Sequence, residues 1–182
     1  MPRNNAILKE QLAQLSKNEL VEMVFKLAGK RYNYEYLLIN FLDTVGGEQT
    51  LFEEALESID ILCLKEYKGS TELKRNVKRL NACVKRINEF TVETKSKKLE
   101  ADLVLYVLKL QFEESSKAFG ARVSGYDYKV GLLLKRLITL VTKKLHPDYI
   151  ADYQDKINDF LSRLHKTSDR IKTIKELPGM IE

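Results

Sequence analysis

Lysine and arginine are unevenly distributed along this sequence, and one segment holds a clear excess of them. Between Ser70 and Lys98 there are nine basic residues against three glutamates, a formal charge of +6. The whole chain carries only +5, from 31 basic and 26 acidic residues, so the remainder sums to −1. Such a concentration can neutralise the phosphates of a nucleic acid and release their counterions, or attract an acidic protein. The segment is therefore a candidate surface for nucleic acid or an acidic partner, although a charged stripe does not by itself define a function.

A helix has to position these side chains if they are to act together. At about 100° per residue, Leu73, Leu80 and Ile87 fall within about 40° of one another, which is the pattern of a buried stripe. The basic side chains fall on the opposite side, about 100° to 240° from Leu73. We call the following six residues the basic face and predict that they form a candidate binding surface: Lys74, Arg75, Lys78, Arg79, Lys85 and Arg86. The alternative is a solvated outer face without a ligand, since no aromatic residues for base stacking are interleaved with them.

A second motif, His146-Pro147-Asp148, follows Lys143-Lys144-Leu145. It resembles the tripeptide that J-domain co-chaperones place between two antiparallel helices to stimulate an Hsp70 partner. The paired tyrosine and the Leu-Gly that J-domains have upstream have no counterpart at the right distance. In the simpler structural interpretation, His146 follows a helix end, Pro147 begins the next helix and Asp148 lies in its first turn.

Enzyme chemistry has little support in the sequence. The only imidazoles are His146 and His165, and neither lies at metal-ligand spacing. The chain has no Gly-x-Ser-x-Gly motif, no P-loop and no glycine-rich dinucleotide turn. We therefore expect a non-enzymatic protein with no catalytic residue, cofactor-binding residue or metal ligand. A carboxylate site assembled across helices stays an open alternative.

The two cysteines, Cys63 and Cys83, lie within helical patterns and lack a Cys-x-x-Cys or Cys/His spacing. We predict two buried thiols in a reducing compartment. A disulfide between them would require the two helices to face each other.

The sequence predicts an all-α fold. Hydrophobic residues make up 44% of the chain and charged residues 31%, with only eight glycines and three prolines to interrupt helices. Ser16 to Glu19 and Thr50 to Glu53 are capping boxes that predict helix starts, and Ser70 or Thr71 should cap the basic helix. We expect about eight helices packed as antiparallel hairpins around a central apolar helix from Leu99 to Phe119.

No linker rich in Ser, Gly or Pro divides the chain, so we predict a single α-helical domain over residues 1–182. Within it, residues 1–45 should form an N-terminal helical hairpin portion, with a helix over about 31–44, and residues 50–177 the main helical bundle. No run of 18 apolar residues occurs, and the N-terminal residues lack a signal-peptide apolar region. We expect a cytoplasmic protein without a membrane partner.

Two stretches resemble an uncharacterised bacterial family of all-helical domains. They are Leu15-Ser16-Lys17-Asn18-Glu19-Leu20-Val21-Glu22, and Ala101-Asp102-Leu103-Val104-Leu105-Tyr106 running on through Phe112 to Phe119-Gly120. The sequence departs from the family in having Ala121-Arg122-Val123-Ser124 where the family has an acidic loop. The resemblance implies an all-helical domain of unknown function, and it implies no catalytic residue.

Together these features predict a binding or scaffold domain with an unknown protein partner. The first alternative is a nucleic-acid binder without sequence specificity that uses the basic face at 74–86. The weaker alternative is a J-domain-like co-chaperone that acts through His146-Pro147-Asp148. The sequence leaves the oligomeric state open.

Overall fold

The computed structural model describes residues 3–29, 34, 37, 46–114, 119–120 and 125–182, and in these ranges all regular structure is helical. The all-α class is thereby confirmed. The helices are α1 (Arg3–Ala13), α2 (Lys17–Ala28), α3 (Gly47–Leu64), α4 (Glu72–Glu93), α5 (Lys97–Glu114), α6 (Gly125–Lys143), α7 (Ile150–Ser168) and α8 (Lys172–Lys175). A 3₁₀ turn over Pro147–Tyr149 leads into α7. The helix predicted over 31–44 lies outside the described residues, except for positions 34 and 37.

The chain divides into two compact units, Met1–Glu48 and Gln49–Glu182. The portions expected from the sequence, 1–45 and 50–177, differ from these units by a few residues at the boundary between them and at the C-terminal end. That both units belong to one domain stays a prediction.

The start of α2 is fixed by the predicted capping box. The Ser16 backbone N–H donates to Glu19 Oε2 at 2.8 Å, and the Glu19 N–H donates to Ser16 Oγ at 3.3 Å. Each side chain therefore satisfies a backbone N–H that the first turn of a helix leaves without a partner. Hydrogen bonds from the Ser16 side chain and backbone also hold the pKa of the Glu19 carboxyl below its ordinary value.

The second capping box was a wrong prediction, because α3 already begins at Gly47 and Thr50 lies inside its first turn. Glycine is tolerated at a helix N-terminus, and Glu48 places a carboxylate in the first turn, where the helix dipole favours it. From Leu51 onward the buried residues recur every four positions, at Ala55, Ile59 and Cys63. These four side chains form the stripe of α3 that packs inward.

The basic helix, α4, begins where the sequence placed it. Thr71 is its N-cap, and the Thr71 hydroxyl accepts a hydrogen bond from the Lys74 backbone N–H at 3.4 Å. The helix buries one side, comprising Asn76, Leu80, Cys83, Ile87 and Phe90.

The core of the second unit lies around α5 and α6. As predicted, α5 is buried around most of its circumference, with Leu103, Val104, Val107 and Leu108 inaccessible to solvent. It packs against α4 and α6, while α6 contacts α4, α5, α7 and α8, so the two helices share the centre. The described part of α5 ends at Glu114, and Phe119, the expected end of this helix, lies in a turn.

A stack of aromatic rings joins α5 to α7. The Phe112 and Phe160 ring centroids are 4.4 Å apart with an interplanar angle of 7°, and Phe119 stacks against the same Phe112 ring at 4.9 Å. Buried aromatic rings contribute both area and a preferred geometry, so this stack fixes the two helices against each other.

Candidate binding surface

The arginines of the basic face near the start of α4 are engaged by the loop that precedes the helix. Arg79 Nε donates to the Lys65 carbonyl oxygen at 2.9 Å, and Arg79 Nη2 donates to Glu66 Oε1 at 3.1 Å. Arg75 Nη1 donates to the other carboxylate oxygen of Glu66 at 3.2 Å. These two guanidinium groups hold the 65–71 loop against α4, so much of their charge and hydrogen-bonding capacity is used within the chain.

The third arginine, Arg86, is also paired within the chain. Its Nη1 atom lies 3.3 Å from Glu93 Oε2, and the Arg86 and Glu93 side chains are only 15% and 12% exposed. Such a pair is little screened by solvent. Arg86 therefore offers less charge to a partner than the sequence implies.

The lysines of the basic face are exposed. Lys78 Nζ donates to Ser70 Oγ at 2.9 Å, and Lys85, with a side chain that is 80% exposed, lies 3.7 Å from Glu89. Lys74 makes no ion pair with any residue that the structure describes. The six predicted residues thus separate into three arginines bound within the chain and three lysines that project into solvent.

A groove lies between α4 and α6, and the α4 residues that line it fall between Lys78 and Lys85 in the sequence. The sequence did not reveal this groove. Its volume is about 250 Å³, and its apolar lining comes from Leu80, Val84, Leu132 and Leu133. Leu132 is 42% exposed at its edge, although it is a large apolar side chain. Three polar side chains complete the lining of what we call the α4–α6 groove: Asn81, Lys129 and Arg136.

The two basic side chains of the groove differ in their environment. Lys129 is half-buried and makes no ion pair with a described residue. Arg136 instead donates from Nε and Nη2 to Glu100 Oε1, at 3.0 and 2.8 Å, and from Nη1 to Asn88 Oδ1 at 2.7 Å. Lys129 is therefore the groove cation whose charge is available to a ligand.

Glu100 lies at the centre of this polar network, which connects α4, α5 and α6. Lys97 Nζ donates to its second oxygen, Oε2, at 2.7 Å, and the Glu100 side chain is only 7% exposed. Burial by itself would raise the pKa of the Glu100 carboxyl, but the hydrogen bonds from Lys97 and Arg136 hold that pKa below its ordinary value. Glu100 is thus a carboxylate in the folded protein, and its role is to position Arg136.

The sequence carried one signal of the groove that could have been followed. Lys129 and Arg136 are seven residues apart, two helical turns, which places them on the same side of α6. Nothing in the sequence, however, indicates that this side of α6 faces α4. The pairing of the two helices depends on the tertiary fold.

The His146-Pro147-Asp148 motif lies on the surface between α6 and α7. His146 Nδ1 accepts a hydrogen bond from the Asp148 N–H at 3.5 Å and lies 3.2 Å from Asp148 Oδ2, and both side chains are largely exposed. Pro147 opens the 3₁₀ turn, close to the role expected of it. The J-type activity stays a prediction, and a loss of Hsp70 ATPase stimulation in His146→Gln is its test.

The first unit has an apolar groove of its own along α2. A cavity of about 650 Å³ is lined mainly by apolar side chains, among them Leu20, Val24 and Phe25, with Tyr34 and Leu37. Phe25 is 81% exposed, so this side of α2 presents apolar surface. Among the lining residues that the structure describes, Lys17 is the single charged one, and the groove therefore gives little indication of what would bind.

No group of three or more His, Cys, Asp or Glu residues that could hold a metal ion occurs among the described residues. In the same part of the chain, no helix is both long enough and apolar enough to cross a membrane. No family model, no curated protein and no solved structure matches this chain.

Proposed function

We propose that this protein is a non-enzymatic helical binding or scaffold module, and that its α4–α6 groove holds an acidic segment of a protein partner. The observation that carries the proposal is the combination in one groove of exposed apolar surface at Leu132 and a cation, Lys129, without an ion-pair partner in the described chain. A partner that covers Leu132 gains from apolar burial, and a carboxylate beside Lys129 gains from charge pairing.

The size of the groove supports a protein partner rather than a small molecule. At about 250 Å³ it is smaller than the range of about 300–1,000 Å³ in which drug-sized ligands are usually bound. A volume of this size suits one or two side chains of a docked segment. The exposed lysines of α4 extend the positive surface beyond the groove, and they would attract acidic residues that flank those side chains.

Site-specific photo-crosslinking tests this proposal while the partner is still unidentified. A photoreactive residue at position 132 should capture a protein, and the same residue at exposed position 156 on α7 should not. The captured peptide should carry a net negative charge. A basic or neutral peptide, or equal capture at both positions, contradicts the proposal.

Once the partner is in hand, single substitutions measure the contribution of the groove. Lys129→Glu and Leu132→Asp should each weaken binding by about tenfold or more, since each replaces an attraction by a repulsion or by an unpaired buried charge. Lys156→Glu makes the same charge change away from the groove and is the matched control. Equal affinities for all three variants would show that the partner binds elsewhere.

The second candidate function is nucleic-acid binding without sequence specificity through the basic face. It is favoured by Lys74, Lys78 and Lys85, which project from one helix into solvent. If only these lysines contact phosphates, the plot of log affinity against log salt should have a slope of about −3 for duplex DNA. Their combined replacement by Glu should remove the binding. Absence of binding to a labelled duplex and to a single strand at low salt eliminates this candidate.

Two further assignments belong to the same proposal. Membership of the uncharacterised bacterial family is supported by the stretch from Leu15 to Glu22, in which Ser16 and Glu19 form a capping box. A cytoplasmic location is supported by the low cysteine content, since secreted domains that depend on disulfides hold more than two cysteines. Fractionation of the native cells would test the location.

A further inference from the structure

The two cysteines lie opposite each other on neighbouring helices. Cys63 is in the last turn of α3 and Cys83 is in the middle of α4, and their Sγ atoms are 3.6 Å apart. Both side chains are buried, Cys63 at 5% exposure and Cys83 at 0%, which confirms the burial expected from the sequence. No disulfide joins them. The helices therefore face each other at this point, which was the condition for a disulfide.

The distance between the sulfurs is close to that of a bond. A disulfide has an S–S length of about 2.05 Å, so each sulfur would have to move by less than about 1 Å toward the other. Because the two sulfurs already share a hydrogen bond, no intervening side chain has to leave.

The surroundings of Cys63 give an external reagent a way in. The neighbouring residues Ile61 and Leu64 are 64% and 73% exposed, and the loop that follows is polar and exposed at Lys65 and Glu66. A helix frays from its ends, but the residues that follow α3 are held to α4 by Arg75 and Arg79. The last turn of α3 therefore opens only when these contacts break, which makes access to Cys63 slow. Cys83, in the middle of α4, has no comparable route.

We propose that Cys63 and Cys83 form a thiol–disulfide modification site, which a low-molecular-weight disulfide such as oxidised glutathione converts to an intramolecular disulfide between α3 and α4. The inference is independent of the proposed partner groove.

The reaction proceeds in two exchange steps. The Cys63 thiol loses its proton to solvent, and its sulfur attacks one sulfur of the oxidised glutathione, whose S–S bond breaks and releases one glutathione thiolate. The Cys83 thiol then loses its proton, and its sulfur attacks Cys63 Sγ in the mixed disulfide and releases the second glutathione. The protein loses two electrons and two protons, and one oxidised glutathione becomes two reduced glutathione molecules.

The order of the steps follows from the environment of the two thiols. The hydrogen bond with Cys63 and burial both raise the pKa of the Cys83 thiol, so Cys83 stays protonated while the pair is intact. The first attack therefore falls to Cys63, when the end of α3 opens. We expect the reaction to be slow in the folded protein and faster at urea concentrations below the unfolding transition.

Incubation of the purified full chain with oxidised glutathione at mildly alkaline pH tests the proposal. The intact protein should become lighter by two hydrogen atoms and carry no glutathione. Trypsin digestion without reductant should yield residues 80–85 linked to the peptide that ends at residue 65. The melting temperature should rise by about 5 °C or more, since the bond closes a loop of about 20 residues, and dithiothreitol should reverse the rise.

Cys83→Ser serves as the control, and it should gain no thermal stability from the same treatment. If this variant does not fold, the peptide map of the unsubstituted protein decides alone. The proposal is overturned if the treated chain keeps both thiols, stops at a glutathione adduct or links only to other chains. A linked form that melts at a lower temperature than the reduced form also overturns it, since the bond would then distort the α3–α4 pair.

Discussion

Replacement of Arg136 by Met should destabilise the protein strongly, although Arg136 lies at the edge of the helical core. The substitution keeps most of the aliphatic length of the side chain and removes the guanidinium group. Three hydrogen bonds are lost, two to Glu100 and one to Asn88. The Glu100 carboxylate, which is 7% exposed, is left with Lys97 as its remaining charged partner.

The magnitude follows from what remains after the change. Removal of one partner from a buried ion pair typically costs about 3–5 kcal/mol, because the other charge stays buried without compensation. Here Lys97 still contacts Glu100, and the Arg136 side chain is 25% exposed, so the cost should lie at or below the low end of that range. We expect a loss of about 2–3 kcal/mol in the free energy of unfolding.

Urea denaturation followed by far-UV circular dichroism measures this loss, which suits a helical chain without tryptophan. The double-mutant cycle with Glu100→Gln isolates the pair, because glutamine keeps the shape of the side chain and removes its charge. The double variant should be less destabilised than the sum of the two single variants, by about 1–2 kcal/mol.

Two results would contradict this prediction. If Arg136→Met cost less than about 0.5 kcal/mol, the typical size of a surface substitution, the network would contribute nothing measurable to stability. If the two single costs simply added, Arg136 and Glu100 would act independently, and the short distances between them would have no energetic meaning.

Three further predictions concern stability. Because the folded-state pKa of Glu100 is lowered, the contribution of this carboxylate to stability is fully present above its unfolded-state pKa of about 4.3. The contribution is lost as the pH falls through the folded-state pKa, so Glu100→Gln should flatten the acid limb of a stability–pH curve. Gly120→Ala should lower the free energy of unfolding more than Gly69→Ala does. Both glycines have a positive φ (78° and 71°), but only at Gly120 would the new Cβ lie 3.1 Å from a backbone oxygen, that of Thr167. Equal losses in urea denaturation would contradict this prediction. Thr71→Ala should cost about 1 kcal/mol in the same assay through loss of the α4 N-cap, and an unchanged midpoint would show that the 3.4 Å bond is not formed.

The parts of the fold that could be predicted are those governed by neighbouring residues. The capping box at Ser16 and the cap at Thr71 each involve contacts within four positions, so their signals lie in the local sequence. Thr50 to Glu53 has the same capping-box pattern, yet the helix starts at Gly47. What decided between the two starts was whether the preceding residues could themselves become helical, which the motif does not specify.

The candidate site was predicted less completely, because its contacts cross long stretches of sequence. Helical periodicity assigned six basic residues to the side of α4 opposite Leu73, and in the structure the three lysines are exposed while the three arginines are half-buried. It could not show that the loop ahead of the helix returns to bind Arg79 through Glu66, 13 residues away. Nor could it show the α4–α6 groove, because Lys129 and Arg136, its two basic side chains, belong to α6.

The division of the basic face between arginines and lysines follows from the chemistry of the two side chains. A guanidinium group has several donors in a fixed plane, so Arg79 can bind a carbonyl oxygen and a carboxylate at once. The ammonium groups of Lys74 and Lys85 have no such fork and stay hydrated at the surface. Charge reversal at Arg75 and Arg79 would therefore release the 65–71 loop and lower stability, whereas charge reversal at Lys74 and Lys85 would change the surface alone. Lys78 is intermediate, since it also contacts this loop through Ser70. A binding test on this face has to be made on the lysines, because a loss of binding in the arginine variants would not distinguish contact with a partner from damage to the fold.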